Sequence, residues 1–375
     1  MKICIMSAVH SPFDTRMYYK IGKSLSNKHE ITIIAPHNKK IDEEIEGIHI
    51  ITIPETKKKT TYPFTIINLF FAALKADCDA YQCELPSTLL VGVIIKILKR
   101  KKVVYDMRDY YPTLIAENAI FPDRLKPLIR VASMWCERFL CMFADFIITV
   151  DDVMKFKYKD YNKNIITVSN YPKKSLFIRK EGREKDKKEN SVVYVGGLIK
   201  YKGIFESIKA IEIVRNEIPD VKMVFIGKFN NDGFKEEVTP YIKEQKLEEN
   251  IVFTGWVPHG ETIKYLEKAN VGLVLLQPIE RYIHAISVKL FEYMACGIPV
   301  IASDFPEMRA IVEENNCGIT VDPTNIMEIS DAIIELLKDP QKEKKMGENG
   351  RRAVEEKYNW ENMEKRLFGL YEELA

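Results

Sequence analysis

Short runs rich in β-branched residues alternate with longer helical patterns along this chain of 375 residues, and the alternation occurs twice. Such alternation is typical of βαβ units, which build parallel sheets with helices on both faces. The pattern predicts an α/β fold of two Rossmann-like, doubly wound parallel-sheet domains. Strands are expected at residues 2–6, 30–35, 49–53, 80–83, 102–106, 146–150 and 165–169, and then at 191–195, 221–226, 251–254, 271–276, 299–302 and 318–321.

A highly charged stretch separates the two series of strands. Charged side chains make up most of residues 173–190 and leave little for a core to bury, so we predict that these residues form an interdomain linker. The N-terminal domain then covers residues 1–172 and the C-terminal domain residues 191–358. Two open α/β sheets in tandem also predict a central cleft faced by the carboxyl ends of their strands, where ligands of such folds bind.

Composition excludes several classes of protein. The 56 Lys and Arg residues nearly balance the 54 Asp and Glu residues, which leaves no strong overall field for nucleic acid. Seven scattered cysteines show neither a CxxC nor a nearby paired-histidine spacing, which disfavours zinc and a disulfide framework. The first residues lack a signal-peptide pattern, and no apolar run has the length of a spanning helix. We therefore expect a cytoplasmic chain.

Several common catalytic motifs are missing from the sequence. No GxGxxG opens a helix after a predicted strand, and there is no P-loop, HExxH or GxSxG motif. Asp77-Cys78-Asp79 spells the DxD of metal-dependent sugar transferases, but it precedes a predicted strand instead of following one. We interpret it as a helix end, with metal binding as the less favoured alternative, and we expect no cofactor.

The most informative stretch is residues 277–304, which predicts a strand, a long loop, a helix, a tight turn and another strand. Ser287 is a candidate N-cap, and the free amides of the helix's first turn are suited to a diphosphate. Lys289 adds a positive charge beside them. The Glu292 carboxylate can accept two hydrogen bonds from a vicinal diol such as ribose. These features predict a clamp for a nucleotide sugar.

Other loops that follow strands of the second series extend this candidate site. Gly196 and Gly197 permit close backbone approach, and Lys202 lies just before a predicted helix that begins at Gly203. Gly227 and the pair Trp256 and Val257 also follow strands, so we expect them to form a wall of the nucleotide pocket.

Residues 193–319 resemble the C-terminal half of glycosyltransferase family 4, the retaining GT-B enzymes. The glycine pair, the Lys202-Gly203 dipeptide and the run from Phe291 to Val300 match that family's pattern in order, and the resemblance extends more weakly over the whole chain. It implies that Lys202 and Lys289 contact a donor diphosphate, that Glu292 contacts its ribose, and that the helix of residues 359–375 packs back onto the N-terminal domain. The donor-binding set is then Gly196, Gly197, Lys202, Gly227, Trp256, Val257, His284, Ser287, Val288, Lys289, Leu290 and Glu292.

The sequence also departs from the family's pattern. His284 stands where the first of two paired glutamates is expected, and Leu198 replaces an arginine after the glycine pair. In the N-terminal half Arg108 is nearest to the place of a common histidine, and Gln82 and Glu84 stand where related chains often have His and Asp. His284 is therefore either a contact to the donor sugar or leaving phosphate, or a structural loop residue.

Candidate residues of the reaction itself lie in both halves. The catalytic candidates are His284, Lys202, Lys289, Arg108 and Asp109, and the acceptor-side candidates are His10, Asp14, Arg16, Arg108 and Asp109. A purely structural role is open for Asp14, Arg16, Arg108 and Asp109, which can form an ion-paired lip without taking part in chemistry.

The leading hypothesis is transfer of a sugar from a nucleotide diphosphate donor, with UDP the favoured carrier, to an acceptor hydroxyl. The resemblance implies retention at the anomeric carbon, and the lack of a DxD motif after a predicted strand indicates transfer without metal. The alternatives are a sugar-nucleotide epimerase or hydrolase, and a non-catalytic partner or scaffold.

Two segments suit either a peripheral contact with anionic lipid or ordinary core helices. They are the apolar segment 62–74, which follows Lys57-Lys58-Lys59, and segment 128–143. A lipid-linked saccharide and a soluble acceptor both remain open.

Overall fold

The computed structural model describes residues 1–55, 61–117, 121–176 and 190–375, which form two compact units. The first unit consists of residues 1–170 and 360–375, and the second of residues 171–359. Each unit is built on its own parallel sheet, which confirms the predicted α/β fold with two Rossmann-like domains. Lys57-Lys58-Lys59 and most of the predicted linker lie outside the described residues.

The first unit contains a sheet of eight strands. They are β1 (Lys2–Met6), β2 (Glu30–His37), β3 (Asp42–Ile45), β4 (Ile48–Pro54), β5 (Ala80–Cys83), β6 (Lys102–Met107), β7 (Phe146–Thr149) and β8 (Ile165–Thr167). Their order is β3-β4-β2-β1-β5-β6-β7-β8, and all neighbours are parallel except β3 and β4. The chain order reverses between β1 and β5, so the loops after these two strands meet at a topological switch point.

Six helices connect these strands. They are α1 (Lys23–Leu25), α2 (Tyr62–Ala76), α3 (Pro86–Lys99), α4 (Tyr111–Ala116), α5 (Lys126–Cys141) and α6 (Asp152–Tyr158), with a π-helical segment at Thr15–Gly22 and a 3-10 turn at Asp123–Leu125. Among the described residues, none of the helices has both the length and the apolar character needed to cross a membrane.

The Asp77-Cys78-Asp79 motif lies where α2 ends, as we interpreted it from the sequence. Asp77 has a left-handed backbone conformation and pairs with Lys99 at 3.0 Å and Lys101 at 3.5 Å. Asp79 accepts a hydrogen bond from the backbone amide of Lys2 at 2.8 Å. These carboxylates therefore bind neighbouring cationic and amide groups of the same sheet edge, and within the described part of the chain no cluster of His, Cys, Asp or Glu is suited to a metal ion.

The second unit contains a sheet of six parallel strands. They are β9 (Ser191–Val195), β10 (Lys222–Ile226), β11 (Ile251–Gly255), β12 (Val271–Val274), β13 (Val300–Ser303) and β14 (Gly318–Val321), in the order β11-β10-β9-β12-β13-β14. The helices are α7 (Ile204–Val214), α8 (Asp232–Glu244), α9 (His259–Lys268), α10 (Glu280–Ile283), α11 (Val288–Ala295), α12 (Pro306–Asn315), α13 (Ile326–Lys338) and α14 (Pro340–Glu356), and 3-10 turns lie at Lys174–Leu176 and Lys200–Lys202. The chain order reverses between β9 and β12, which is the second switch point.

The last helix, α15 (Trp360–Leu374), belongs to the first unit. Its buried Trp360 donates a hydrogen bond from the indole Nε1 to Ser24 Oγ at 2.9 Å. Its buried Tyr371 donates from its hydroxyl to Gln82 Oε1 at 2.8 Å, beside β5. The chain thus completes the core of its first unit with its last residues.

Candidate functional site

Two glycine loops meet at the carboxyl edge of the second sheet. Gly196 follows β9 and donates from its amide to the Ile226 carbonyl at 2.8 Å. Gly227 follows β10, and a Cβ built on it would lie only 2.0 Å from the Gly196 carbonyl oxygen. Both glycines have positive φ angles, 127° and 149°, which side chains rarely tolerate. The sequence therefore places glycine where two backbones must touch beside the switch point.

Lys289 extends its ammonium group over this glycine pair. Its Nζ lies 4.5 Å from the ring centroid of Tyr194 and 3.4 Å from the Tyr194 hydroxyl. A Cβ built on Gly196 would lie 3.7 Å from the same Nζ. Tyr194 also donates a hydrogen bond to the Gly197 carbonyl at 3.0 Å. Tyr194, which sequence reasoning missed, thus joins the glycine loop to the lysine through one side chain.

Positive charge is concentrated at this place. Burial and, after it, the positive charge of Lys202 lower the pKa of Lys289 to about 7, and the Glu292 carboxylate partly opposes both effects. Burial, followed by the charge of Arg281, also lowers the pKa of Lys202. The positive charge of Lys202 therefore repels those of both Lys289 and Arg281. A bound anion would reduce this repulsion. Arg281 was not among the residues singled out from the sequence.

The helix that carries Lys289 begins at the same edge. Ser287 has the extended backbone of an N-cap before α11, but its side chain makes no capping hydrogen bond to a described residue. Helix N-terminal amides attract anions because they carry partial positive charge. Val288 is half-buried in the first turn, whereas the Leu290 side chain is fully buried in the core and its amide bonds the Ser287 carbonyl. The Leu290 side chain thus packs in the core instead of facing a ligand.

Tyr293 fixes the position of α11 relative to β9. Its hydroxyl accepts a hydrogen bond from the Val195 amide at 2.9 Å. Its ring occupies the space beside Gly272 on β12, where a Cβ would lie 2.3 Å from a ring carbon. One turn of helix therefore holds the Lys289 and Glu292 side chains next to the end of β9, and Glu292 is half-buried there.

The remaining predicted donor residues have different surroundings. Trp256 follows β11 and is two-thirds exposed, at 67%. Val257 packs against the core cluster that includes Leu290. Gly227 pairs with Gly255 in an isolated antiparallel bridge, so the loops after β10 and β11 are in contact. The wall formed by Trp256 and Val257 stays a prediction.

His284 ends α10 and forms an ion-pair contact that sequence reasoning did not foresee. Its Nδ1 lies 2.9 Å from Oε1 of Glu307, in the first turn of α12. The other oxygen of Glu307 is buried and has no hydrogen-bond partner among the described residues. His284 itself is more than half exposed. A usable sequence signal for Glu307 was its place just after a predicted strand, at the start of a helix.

A second polar cluster lies at the switch point of the first unit. Arg108, which follows β6, pairs with Asp14 at 2.9 Å and with Glu84, which follows β5 and is fully buried. His10 Nδ1 lies 3.3 Å from the other oxygen of Glu84 and 3.1 Å from Ser7 Oγ. Burial alone would raise the pKa of Asp14, but the Arg108 charge holds it below its ordinary value. His10, Asp14 and Arg108 are thus close together, whereas Asp109 is exposed beside them in sequence.

Arg16 is an internal residue and not part of an exposed lip. Its guanidinium donates to both carboxylate oxygens of Asp106, at 3.0 and 2.7 Å, and to the Val168 carbonyl at 2.9 Å. Gln82 donates to the same carboxylate at 3.2 Å. Arg16 and Asp106 are both buried, and the hydrogen bonds between them offset part of the cost of removing both groups from water. The expected lip therefore contains the Asp14–Arg108 pair without Arg16.

The two Rossmann-like parallel-sheet units give the chain a fold of the GT-B type. Residues 177–353 match the family described as glycosyl transferases group 1. Sucrose-phosphate synthase of Thermosynechococcus elongatus has the same fold with a TM-score of 0.78 and 20% identity, over 100% of this chain and 98% of that one. Anabaena HepE, solved in complex with UDP, gives 0.74 at 15% identity over 100% of both chains.

Two curated proteins are also similar to this chain. An uncharacterized glycosyltransferase of Methanocaldococcus jannaschii is 22% identical over 94% of this chain and 92% of its own length. Spore coat protein SA of Bacillus subtilis is 28% identical over 48% of each protein. The chain thus spans about half the length of some curated relatives and nearly all of another.

Proposed function

We propose that this protein transfers a sugar from a nucleotide diphosphate donor, UDP-linked by preference, to an acceptor hydroxyl. The observation that carries the proposal is the Lys289 ammonium group, which lies in the first turn of α11 beside a pair of touching glycine loops and is close enough to Lys202 for the two charges to interact. This arrangement suits a diphosphate, because the glycines admit a ligand close to the backbone and the lysines supply charge. UDP and UDP-glucose bound to HepE, a structural relative, support the choice of UDP.

The proposed reaction needs charge stabilisation more than a protein nucleophile. Negative charge develops on the leaving diphosphate, and preorganised cations and amides that face this charge lower the barrier. Lys202 and Lys289 supply that charge, and we propose that transfer proceeds without metal. We also propose retention at the anomeric carbon, with the leaving phosphate taking the acceptor proton, as the resemblance to family 4 implies. Glu292 would hold the ribose through its two carboxylate oxygens.

The acceptor is proposed to bind the first unit. The cluster of His10, Asp14, Glu84 and Arg108 offers both donors and acceptors of hydrogen bonds at a switch point, which suits saccharide hydroxyls. The acceptor proposed here is a growing or lipid-linked glycan, with the protein peripheral to the cytoplasmic face of the membrane.

A second candidate is a non-catalytic partner subunit that retains nucleotide binding. The observation in its favour is His284, which stands in place of an expected carboxylate and contacts Glu307. Product formation by the purified chain would exclude it. Sugar release without an acceptor would instead indicate hydrolysis.

Calorimetric titrations with UDP, GDP, ADP and TDP in chelator test the donor site. We expect selective binding of UDP, a loss of about tenfold or more in affinity for Lys289→Ala and for Glu292→Gln, and no change for Lys235→Ala. Lys235 is the matched control because it is an exposed lysine of the same unit, on α8. Equal affinity in all three variants, or no nucleotide binding by the parent chain, would contradict the proposal.

A further inference from the structure

The outward faces of α2, α3 and α5 carry many exposed apolar side chains. Phe64, Ile67 and Phe71 lie on one exposed side of α2 at spacings of three and four residues. On α5 the exposed side carries Leu128, Val131, Trp135 and Phe139 at similar spacing. α3 packs against both α2 and α5, and its own exposed side includes Leu90, Ile97 and Leu98. The three sides adjoin, and we name them the α2–α3–α5 face.

This face is not required by the core of the first unit. α2 buries Leu69 and Ala73, and α3 buries Leu89 and Val93, on separate sides that pack into the core. More than half of the exposed large hydrophobic side chains in the described part of the chain lie on these three helices or at their ends. Exposed apolar side chains concentrated on neighbouring helices are typical of an interaction site in soluble domains.

Basic residues outnumber acidic residues on the helices of the α2–α3–α5 face. The sequences of α2 and α3 contain Lys75, Lys96 and Lys99 and no acidic residue, and α5 contains Arg130 and Arg138. Lys96 and Lys99 pair with Asp145 and Asp77, which lie just beyond the ends of α5 and α2. The one acid of α5, Glu137, is buried and accepts hydrogen bonds from the hydroxyls of Tyr105 and Tyr158. The chain as a whole is nearly balanced, with 56 basic and 54 acidic residues, so this asymmetry is local.

We propose that the α2–α3–α5 face docks on the surface of an anionic lipid bilayer. Exposed aromatic and aliphatic side chains enter the boundary between headgroups and acyl chains, and the lysines and arginines attract anionic headgroups. A second copy of the chain suits the face less well, because two such faces would bring like charges together in an apolar interface. The biological purpose, access to a lipid-linked acceptor, rests on the proposed function, whereas the docking itself does not.

Fluorescence of Trp135 gives a direct measurement of docking. A full-length Trp256→Phe chain leaves Trp135, which is 57% exposed, and the buried Trp360 as its indoles. We expect vesicles of phosphatidylcholine with phosphatidylglycerol to shift this emission to the blue, and brominated acyl chains to quench it. Vesicles of phosphatidylcholine alone should have a much smaller effect, and added salt should weaken binding.

Sedimentation with the same anionic vesicles tests whether the exposed residues of the α2–α3–α5 face are required for binding. The double variant Trp135→Gln, Phe139→Gln should bind about tenfold more weakly, because it removes two apolar contacts with the lipid. The double variant Tyr265→Gln, Met327→Gln is the matched control, since both residues are exposed in the second unit, and it should bind like the parent chain. Far-ultraviolet circular dichroism checks that both variants are folded.

Each contrary result overturns the proposal. It fails if the parent chain does not bind anionic vesicles, if both double variants bind equally, or if the face mediates a dimer in solution without lipid. UDP titration of the Trp135→Gln, Phe139→Gln chain separates this failure from that of the proposed function. Vesicle binding without UDP binding would refute the nucleotide site alone, and UDP binding without vesicle binding would refute the docking face alone.

Discussion

The protonation of Lys289 should respond to the negative charge of the proposed donor. Burial, the Lys202 charge and the opposing Glu292 charge leave the pKa of Lys289 at about 7 before any ligand binds. A bound diphosphate favours the ammonium form and must raise that pKa. Below pH 7 the lysine is already protonated, so UDP affinity should be constant there. Above pH 7 binding has to take up a proton, and affinity should fall by up to about tenfold per pH unit.

Calorimetry in buffers of different ionisation enthalpy measures this proton uptake directly. We expect close to one proton taken up near pH 8 and little below pH 6. Lys289→Arg is the control, because arginine stays protonated throughout, and it should flatten the pH profile. The same slope in the arginine variant would assign the proton to another group and contradict the prediction.

The His284–Glu307 contact predicts a different pattern of kinetic effects. If Glu307 orients the imidazole towards the donor sugar, His284→Ala and Glu307→Ala should each lower kcat by about a hundredfold, and the double variant should lose no more than either single variant. Affinity for UDP should change little, since the carbohydrate end alone is affected. Glu292→Gln is the contrast and should weaken UDP binding.

Steady-state kinetics with calorimetry on the same preparations separate these effects. Additive losses in the double variant would show that the two residues act independently. Unchanged kcat in both single variants would assign His284 a structural role in its loop, which was the other alternative raised by the sequence.

The loop after β10 is the element in which backbone geometry most limits the site. Gly227→Ala places a Cβ 2.0 Å from the Gly196 carbonyl, at a φ of 149°, so the two loops must separate. We expect a loss of about 3 kcal/mol in the free energy of unfolding and a large loss of UDP affinity. Gly260→Ala on α9 is the control, since a Cβ there meets no atom within 4 Å, and helix propensity favours alanine. Urea unfolding measures the free energy of unfolding of both variants. Equal stability of the two would contradict the prediction.

Regular elements could be predicted because their sequence patterns are local. Every strand expected from β-branched runs is present, and β3 alone among the described strands was missed. Its residues Asp42-Glu43-Glu44 are acidic, and it pairs only along the antiparallel edge with β4, so no apolar alternation marks it. Long-range contacts were not predictable in this way. Arg16 meets Asp106 from ninety residues away, and no local signal distinguishes such a buried arginine from a surface one.

The residues of the candidate site also fall into those that a local sequence pattern predicts and those that depend on long-range contacts. Glycine pairs, Lys289 and Glu292 follow from motif and position after a strand. Tyr194, Arg281 and Glu307 reach the site through tertiary neighbours, because the cation–π contact, the charge repulsion and the imidazole contact all join separate elements of the chain. Their roles emerge only when the strand order brings those loops to one edge of the sheet.

The two units have separate cores, so stability and nucleotide affinity should respond to different residues. Trp360 is buried in the first unit, and Trp256 is exposed beside the glycine loops of the second. Trp360→Ala removes a large core side chain and its hydrogen bond to Ser24, and should lower the free energy of unfolding by about 4 kcal/mol. It should leave UDP affinity unchanged. Trp256→Ala should have the opposite pattern, because its exposed indole contributes little to the core and lies in the predicted wall of the nucleotide pocket.

Scanning calorimetry with and without UDP measures both effects on one sample. At about a hundred times its dissociation constant, UDP should stabilise the second unit by about 2.7 kcal/mol, and this increment should persist in Trp360→Ala. In Trp256→Ala the increment should shrink while the transition without ligand stays in place. A loss of UDP binding in Trp360→Ala would show that the first unit's core controls the donor site, and the separation of the two roles would then be wrong.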